Sequence, residues 1–306
     1  MLKEGLVLSR YMVGVWSPMY FQSSWCVSEW KSFPCGTIFM IFSRFVSKLD
    51  WNEALKGRAL APPPRATGRS LDDQWAARHR KVALEGLNSV PKKAFVEVYH
   101  CCVDFPIDRL QDQLLVAARQ AAVHTFGWPI GLVLDKEDAR PRPTNEGIIA
   151  EIKALAAHEG YDYWILTRNG DFYSLMSLFE DDRQDNAIFF DTRIVRTTEA
   201  LLHCANLYRA LGADSNATVQ LRIGYAGLRG RRVKSAGRRL LFREYVNQYE
   251  DEVSSEVVFR LDQVEPEITH LVKSLCRPLF MLFDFFDVPD SVWDELVTSF
   301  VAGRVA

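Results

Sequence analysis

The strongest constraint on the fold is a pair of strand-like runs in residues 161–179, YDYWILTRNGDFYSLMSLF, which flank Asn169-Gly170. Aromatic and apolar residues dominate both runs, as is typical of strands. An Asn-Gly dipeptide tolerates the positive φ angles of a type I′ turn, the turn that joins two antiparallel strands most tightly. The sequence therefore predicts a β-hairpin at this point in the chain.

Elements of alternating type precede the hairpin. Residues 71–87 have two aspartates in the first turn and a partial apolar face, which indicates a helix. A strand is predicted over 94–103, a helix over 107–123 and a short buried strand, PIGLVLD, over 129–135. This β-α-β order predicts a parallel pair of strands joined by a right-handed crossover.

The second half of the chain repeats both types of element. A long helix over 192–213 is expected to stop at Gly212, because glycine adopts the left-handed conformation that ends helices. Together the patterns predict a mixed α/β (α+β) fold, in which a mixed β-sheet is covered by helices and two helices close the chain. The remaining predicted elements are strands over 217–228 and 253–264, and helices over 265–285, with a kink at Pro278, and 289–302, set apart by Pro289.

Two regions of different character divide the chain. Residues 1–70 form an atypical, aromatic-rich segment that ends in a Pro-rich linker, LAPPPRATGRS over 60–70. The aromatic part has little regular period, so it is either a remnant or an over-extended reading frame, or an arm that binds a partner or a membrane surface. We expect residues 71–306 to form the mixed α/β domain.

Bulk composition excludes several classes of protein. A net charge of −2 with 25% charged residues argues against a uniformly basic nucleic-acid coat, so any anion must be bound by a local cluster. The six cysteines lack CxxC spacing and predict buried thiols in a reducing cytoplasm. No apolar run reaches the roughly eighteen residues of a transmembrane helix, so no membrane partner is expected.

One segment concentrates positive charge. Residues 227–243, GLRGRRVKSAGRRLLFR, contain no acidic side chain, and glycines interrupt the segment as in a projecting loop. Phosphates would relieve the repulsion among these cations, which predicts contact with nucleic acid or another polyanion such as an acidic protein surface. The alternative is a solvated loop whose charges pair with the acidic runs 180–185 and 249–256. The predicted binding residues are Arg229, Arg231, Arg232, Lys234, Arg238, Arg239 and Arg243.

A second constellation is Asp135 followed by Glu151-Ile152-Lys153. Its spacing resembles the PD-(D/E)xK nucleases, in which an Asp and a Glu hold Mg²⁺ and a Lys assists the attacking water. The geometry requires a strand over 147–153, because only then do Glu151 and Lys153 share a face. A metal-dependent nuclease that uses these three residues is therefore an alternative function.

No nucleotide-binding, zincin or hydrolase signature occurs, and the histidines are scattered without metal-ligand spacing. We therefore expect a non-enzymatic intracellular interaction module with no cofactor and no metal. A further alternative is a structural or oligomerisation domain, in which the apolar C-terminal helices form a homo-oligomer.

Several segments carry a family resemblance: HTFGWPIGLVL, PRPTNEGIIAEI, YDYWILTRNGDFYSLMSLFED, FFDTRIVRTTEALLHCANLY, GLRGR and PLFMLFDFFDVPDSVWDELV. Together they look like the C-terminal region of bacterial proteins with a Schlafen-type AlbA_2 (divergent AAA-4) domain, over about residues 72–304. In that family DNA binding is attributed to an AlbA_2 domain that lies N-terminal to this region. The first 60 residues are too short and too unlike an α/β module to supply that domain, so under this resemblance the chain is either a fragment or the accessory domain alone, and no functional residues are carried over.

Overall fold

Seven strands form one antiparallel sheet in the part of the chain that the computed structural model describes, which is residues 69–304 without 92–93, 124–127, 156–157, 238 and 286–287. The strand order is β2-β3-β4-β5-β1-β7-β9, and β6 and β8 form a separate parallel pair. The predicted segment 1–70 lies outside the described residues except for its last two. The strands are β1 Phe95–Cys102, β2 Arg142–Pro143, β3 Gly147–Leu155, β4 His158–Thr167, β5 Phe172–Ser177, β6 Ala187–Phe189, β7 Thr218–Ala226, β8 Arg232–Lys234 and β9 Glu252–Arg260.

The predicted hairpin is confirmed, with a different turn. Strands β4 and β5 pair in antiparallel register, and the Thr167 backbone N–H donates to the Asp171 carbonyl at 2.8 Å. The loop between them therefore has three residues, and Gly170 has a φ of 82° whereas Asn169 has no positive φ. The prediction of a type I′ turn is wrong, because a three-residue loop needs only one residue in the left-handed region.

The predicted strand over 129–135 is wrong, and with it the parallel β-α-β unit. Strand β1 lies between β5 and β7, both antiparallel to it, which leaves no position for a parallel neighbour. Residues 129–135 instead form an irregular segment whose backbone is bonded by side chains. Trp164 Nε1 donates to the Leu132 carbonyl, and the Ile130 N–H donates to Glu199 Oε1, each at 2.8 Å. An apolar run can thus be buried without belonging to a sheet.

Helices cover both faces of the sheet, which confirms the predicted mixed α+β architecture. Helix α1 packs on one face, whereas α2, α3 and α4 pack on the other and α5 packs on α3 and α4. The two adjacent residues Cys101 and Cys102 of β1 belong to the cores on opposite faces. The helices in the described residues are α1 Asp73–Leu87, α2 Gln111–Ala121, α3 Phe190–Ala210, α4 Val264–Met281 and α5 Asp290–Val301.

The helix ends follow local signals. Asp72 caps α1, since its carboxylate accepts from the backbone N–H groups of Gln74 and Trp75. Gly212, with a φ of 87°, follows α3 and stops it as predicted. Pro278 lies inside α4, and Pro289 directly precedes α5.

The two C-terminal helices bury their apolar faces in the core of the same chain. Leu271, Leu275 and Leu279 of α4 and Trp293 and Val297 of α5 all belong to the larger core. These faces are therefore used by the fold itself. Within the described residues, no helix combines the length and the apolarity that crossing a membrane requires.

Candidate nucleic-acid interface

The basic segment 229–243 leaves the sheet at the end of β7. Gly227 and Gly230, with φ angles of 75° and 78°, turn the chain there, and Arg232–Lys234 then forms β8, which pairs with β6. After β8 the chain continues without regular structure up to an isolated bridge at Val246. The segment is thus a projection with one short strand, where the sequence predicted only a loop or irregular hairpin.

Arg231 is a buried cation whose side chain binds other parts of the fold. Its side chain is buried, and Nη2 lies 2.5 Å from Asp181 Oδ1. Nη1 donates to the Ala187 carbonyl at 2.8 Å and Nε to the Gly227 carbonyl at 2.6 Å. The guanidinium therefore ties the turn after β7 to β6 and to the 3₁₀ turn Phe179–Asp182. It is not accessible to a macromolecular ligand.

Three other cations of the segment form ion pairs at the surface. In each pair the guanidinium and the carboxylate are at least one-third exposed. Ion pairs of this kind contribute about 0–1 kcal/mol to stability, because water screens them and both side chains lose rotational freedom. The pairs are Arg232 with Glu244 at 2.7 Å, Arg239 with Glu295 at 2.7 Å and Arg243 with Asp284 at 3.1 Å.

The remaining cations differ in their surroundings. Arg229 is exposed, its backbone N–H donates to Asp251 Oδ1, and its Nε donates to the Tyr249 carbonyl at 3.0 Å. Lys234 has no carboxylate within ion-pair distance among the residues that the structure describes. Arg238 lies outside the described residues. Of the ion pairs in the described residues, the expected pairing of these charges with the acidic runs 180–185 and 249–256 holds for Arg231, which pairs with Asp181, whereas the surface pairs use other carboxylates.

Large apolar side chains stand exposed among these cations. Phe242 is fully exposed and Leu240 is 89% exposed, and both lie between Arg239 and Arg243 in the sequence. Tyr249 is also exposed a short distance along the chain. The sequence analysis did not identify these residues, although a signal was present. The run LLF, residues 240–242, lies among cations and does not fit the apolar periodicity of a helix or a strand.

An open hollow of about 320 Å³ adjoins β8. Arg232 and Lys234 line one side, and Gln184 and Asn186 line the other, together with Asp185. Asn186 has a φ of 54° and its carbonyl accepts from the Arg232 N–H at 2.8 Å. The hollow at the base of the projection is therefore lined by two cationic residues, two amide residues and one acidic residue.

The residues of the predicted nuclease constellation are not brought together. Residues 147–153 do lie in β3, so Glu151 and Lys153 share a face and pair at 3.1 Å. Glu151 also accepts from the Tyr161 hydroxyl, on the face that α1 covers. Asp135 instead pairs with Arg119 of α2, which packs on the opposite face. In the described part of the chain, no group of three His, Cys, Asp or Glu residues is arranged to hold a metal ion.

Comparison with known proteins adds no family. No protein-family model, no curated protein and no solved structure matches this chain. The resemblance to the C-terminal region of Schlafen-type AlbA_2 proteins accordingly stays a prediction.

Proposed function

We propose that the chain is an intracellular interaction module that binds nucleic acid through the projection at 229–243, without catalysing a reaction. The observation that carries the proposal is the fully exposed ring of Phe242 between Arg239 and Arg243. Single-stranded nucleic acid is bound by such combinations, because an aromatic ring stacks on a base while neighbouring cations contact phosphates. The proposal therefore favours single strands over duplexes.

The surface ion pairs support the proposal, because they are easily exchanged. A phosphate that approaches Arg232, Arg239 or Arg243 replaces a screened carboxylate, and the release of counterions from the nucleic acid adds a favourable term. The carboxylates that remain nearby lower the local positive potential. We therefore expect moderate affinity that falls steeply with salt.

Arg231 has no part in the proposed interface, since it is buried in the fold. A variant that includes it would lose structure as well as charge. The informative variants are Arg232→Glu with Arg239→Glu for phosphate binding, and Phe242→Ala for stacking.

The test is fluorescence anisotropy of labelled single-stranded and duplex oligonucleotides with the full chain across a salt series. The charge variant is expected to weaken binding and to lower the slope of log affinity against log salt by about 1 for each phosphate that is no longer bound. Phe242→Ala is expected to weaken binding to single strands by about 1–3 kcal/mol with the slope unchanged. Glu295→Gln, which frees Arg239, is expected to strengthen binding.

The matched control is the double charge reversal Arg140→Glu with Arg142→Glu, at two exposed side chains outside the segment that both pair with Glu137, so that it changes the net charge as much as the charge variant does. It is expected to change affinity far less than the charge variant does. Equal decreases in affinity for the two variants would show only an effect of net charge and would refute the proposed interface, as would affinity that is unchanged by Phe242→Ala.

The proposed location inside the cell has its own support. The four cysteines in the described residues, Cys101, Cys102, Cys204 and Cys276, are free and buried. Free thiols suit a reducing compartment. Burial raises the pKa of the Cys101 and Cys276 thiols to about 12, which keeps them protonated and unreactive.

A further inference from the structure

Among the residues that the structure describes, the buried carboxyl group of Asp162 has no hydrogen-bond partner. It lies in β4, where it pairs in register with Ile152 of β3 and Met176 of β5, and its side chain is 1% exposed. Neither Oδ1 nor Oδ2 accepts a hydrogen bond from any described residue. A buried polar group in this state costs free energy, and an ionised carboxylate costs more than most, so in that form both oxygens require donors from elsewhere.

The carboxyl lines a cavity of about 50 Å³ that opens to solvent on one side. The cavity lies between the ends of β4 and β5 and the first turns of α3. Trp128, Phe179 and Met176 form its apolar walls, and Arg193 and Arg196 reach it from α3. The volume is sufficient for several water molecules or for a compact polar group of a larger ligand.

Hydrogen bonds to side chains of α3 hold Trp128 and the residues after it in place. Arg196 donates from Nη1 to the Trp128 carbonyl at 2.8 Å and to Glu199 Oε2 at 2.6 Å. The other oxygen of Glu199 accepts from the Ile130 N–H. Trp128, which lines the cavity, directly precedes the irregular run that the sequence predicted as a strand.

The charges around the cavity favour a cation. Both guanidinium groups already have carboxylate partners: Arg193 is bonded to Glu180 and Arg196 to Glu199. Glu180 and Glu199 do not line the cavity themselves, but they neutralise the two guanidinium groups that do. The carboxyl groups in the described lining are Asp162 and Asp182.

From these observations we infer that the cavity binds the guanidinium or amidinium group of a small ligand, with Asp162 as its acceptor. Such a group donates two parallel N–H bonds, which match the two unpartnered oxygens of one carboxylate. The aromatic walls add a favourable contact for a flat cation. The open side leaves room for the rest of the ligand. The inference does not depend on nucleic-acid binding by the basic segment.

The titration of Asp162 gives the binding a characteristic pH dependence. Burial raises the pKa of Asp162 to about 8, Arg196 acts against the rise and Glu199 adds to it. The empty site is therefore largely protonated at neutral pH, and a bound cation favours the carboxylate. Binding then releases a proton, so affinity increases with pH up to about 8 and is constant above it. In the described residues, the charged groups that act on Asp162 are Arg196 and Glu199 of α3, and Arg193 and Asp182 line the same cavity.

The test is isothermal titration calorimetry of the full chain with methylguanidinium and acetamidinium, with methylammonium and acetamide as comparison ligands. Methylguanidinium and acetamidinium are expected to bind more tightly than methylammonium, and acetamide is expected not to bind. Affinity for methylguanidinium is expected to rise between pH 6 and pH 8. This range lies at or below the pKa of about 8, where protons compete with the ligand for the carboxylate.

Asp162→Asn keeps the shape of the side chain and removes its charge, and it is expected to lower affinity at least tenfold. The matched control Asp135→Asn, at an exposed carboxylate that pairs with Arg119, is expected to leave affinity unchanged. Circular dichroism checks that both variants are folded. Binding that survives in Asp162→Asn, affinity in the parent chain that is independent of pH, or no binding of either flat cation at millimolar concentration would each overturn the inference.

Discussion

Arg193 of α3 and Glu180 of the 3₁₀ turn form an ion pair in which both side chains are buried. Arg193 Nη2 donates to Glu180 Oε2 at 3.0 Å, and Nε lies 2.9 Å from Oε1. Glu180 Oε1 also accepts from the backbone N–H of Phe189 at 3.2 Å. This pair therefore joins α3, the 3₁₀ turn and β6. Residues of α3 and of the 3₁₀ turn line the Asp162 cavity, and β6 pairs with β8 of the basic projection.

Breaking this pair on one side is expected to be costly. Glu180→Ala or Arg193→Ala leaves one charge buried without a partner, which typically lowers the free energy of unfolding by about 3–5 kcal/mol. The double replacement Arg193→Met with Glu180→Leu removes both charges and keeps most of the volume, so its effect is expected to be smaller than that of either alanine variant. Urea unfolding followed by circular dichroism measures all three. A double variant less stable than both single ones would contradict this account.

Arg231 and Arg232, which are neighbours in the basic segment, are expected to contribute very differently to the free energy of unfolding. Arg231→Ala leaves buried acceptors without a donor and is expected to lower the free energy of unfolding by roughly 1–3 kcal/mol. Arg232→Ala removes only an exposed ion pair and is expected to change it by less than about 0.5 kcal/mol. Thermal unfolding of the two variants side by side distinguishes them. Similar decreases in stability at both positions would show that Arg231 is not held as described.

The stability of the protein is expected to fall as pH rises, through Asp162. Its pKa is about 8 in the folded chain and returns to the ordinary range on unfolding, so the folded state binds more protons between about pH 4 and pH 8. Within this window the group lowers the free energy of unfolding by up to about 1.4 kcal/mol per pH unit. Asp162→Asn removes this contribution. Urea unfolding at several pH values checks it, and parallel pH profiles for the parent and the variant would disprove it.

Two glycines with similar backbone angles are expected to respond differently to substitution. Gly170 and Gly230 have φ angles of 82° and 78°, so alanine at either position costs about 1–2 kcal/mol in backbone strain. At Gly170 a new Cβ would also lie 2.8 Å from Ile107 Cδ1, whereas at Gly230 it meets nothing within 4 Å. Gly170→Ala is therefore expected to lower the melting temperature more than Gly230→Ala. The reverse order in differential scanning calorimetry would show that the Ile107 side chain moves away from the new Cβ at little cost in free energy.

Local patterns were sufficient for most of the secondary structure. The hairpin about Gly170, the long helix that stops at Gly212 and the two helices around Pro289 each depend on short-range geometry, and the structure confirms them. The run 129–135 was predicted wrongly because burial alone does not distinguish a strand from an irregular segment. Its hydrogen bonds come from Trp164 and Glu199, which lie far along the chain.

For the candidate sites too, some features could be predicted from the sequence and others depend on the tertiary structure. Composition alone identified the cationic segment, but it could not separate Arg231 from Arg232, because one residue of difference along the chain decides whether a guanidinium points into the fold or into solvent. The exposure of Phe242 and the burial of Asp162 could not be predicted from the sequence either, since each depends on which residues the rest of the chain places nearby. The sequence by itself determined the classes of elements and the location of the charge, which are properties of neighbouring residues. Only the tertiary structure decided which polar groups find partners, because those partners come from distant parts of the chain.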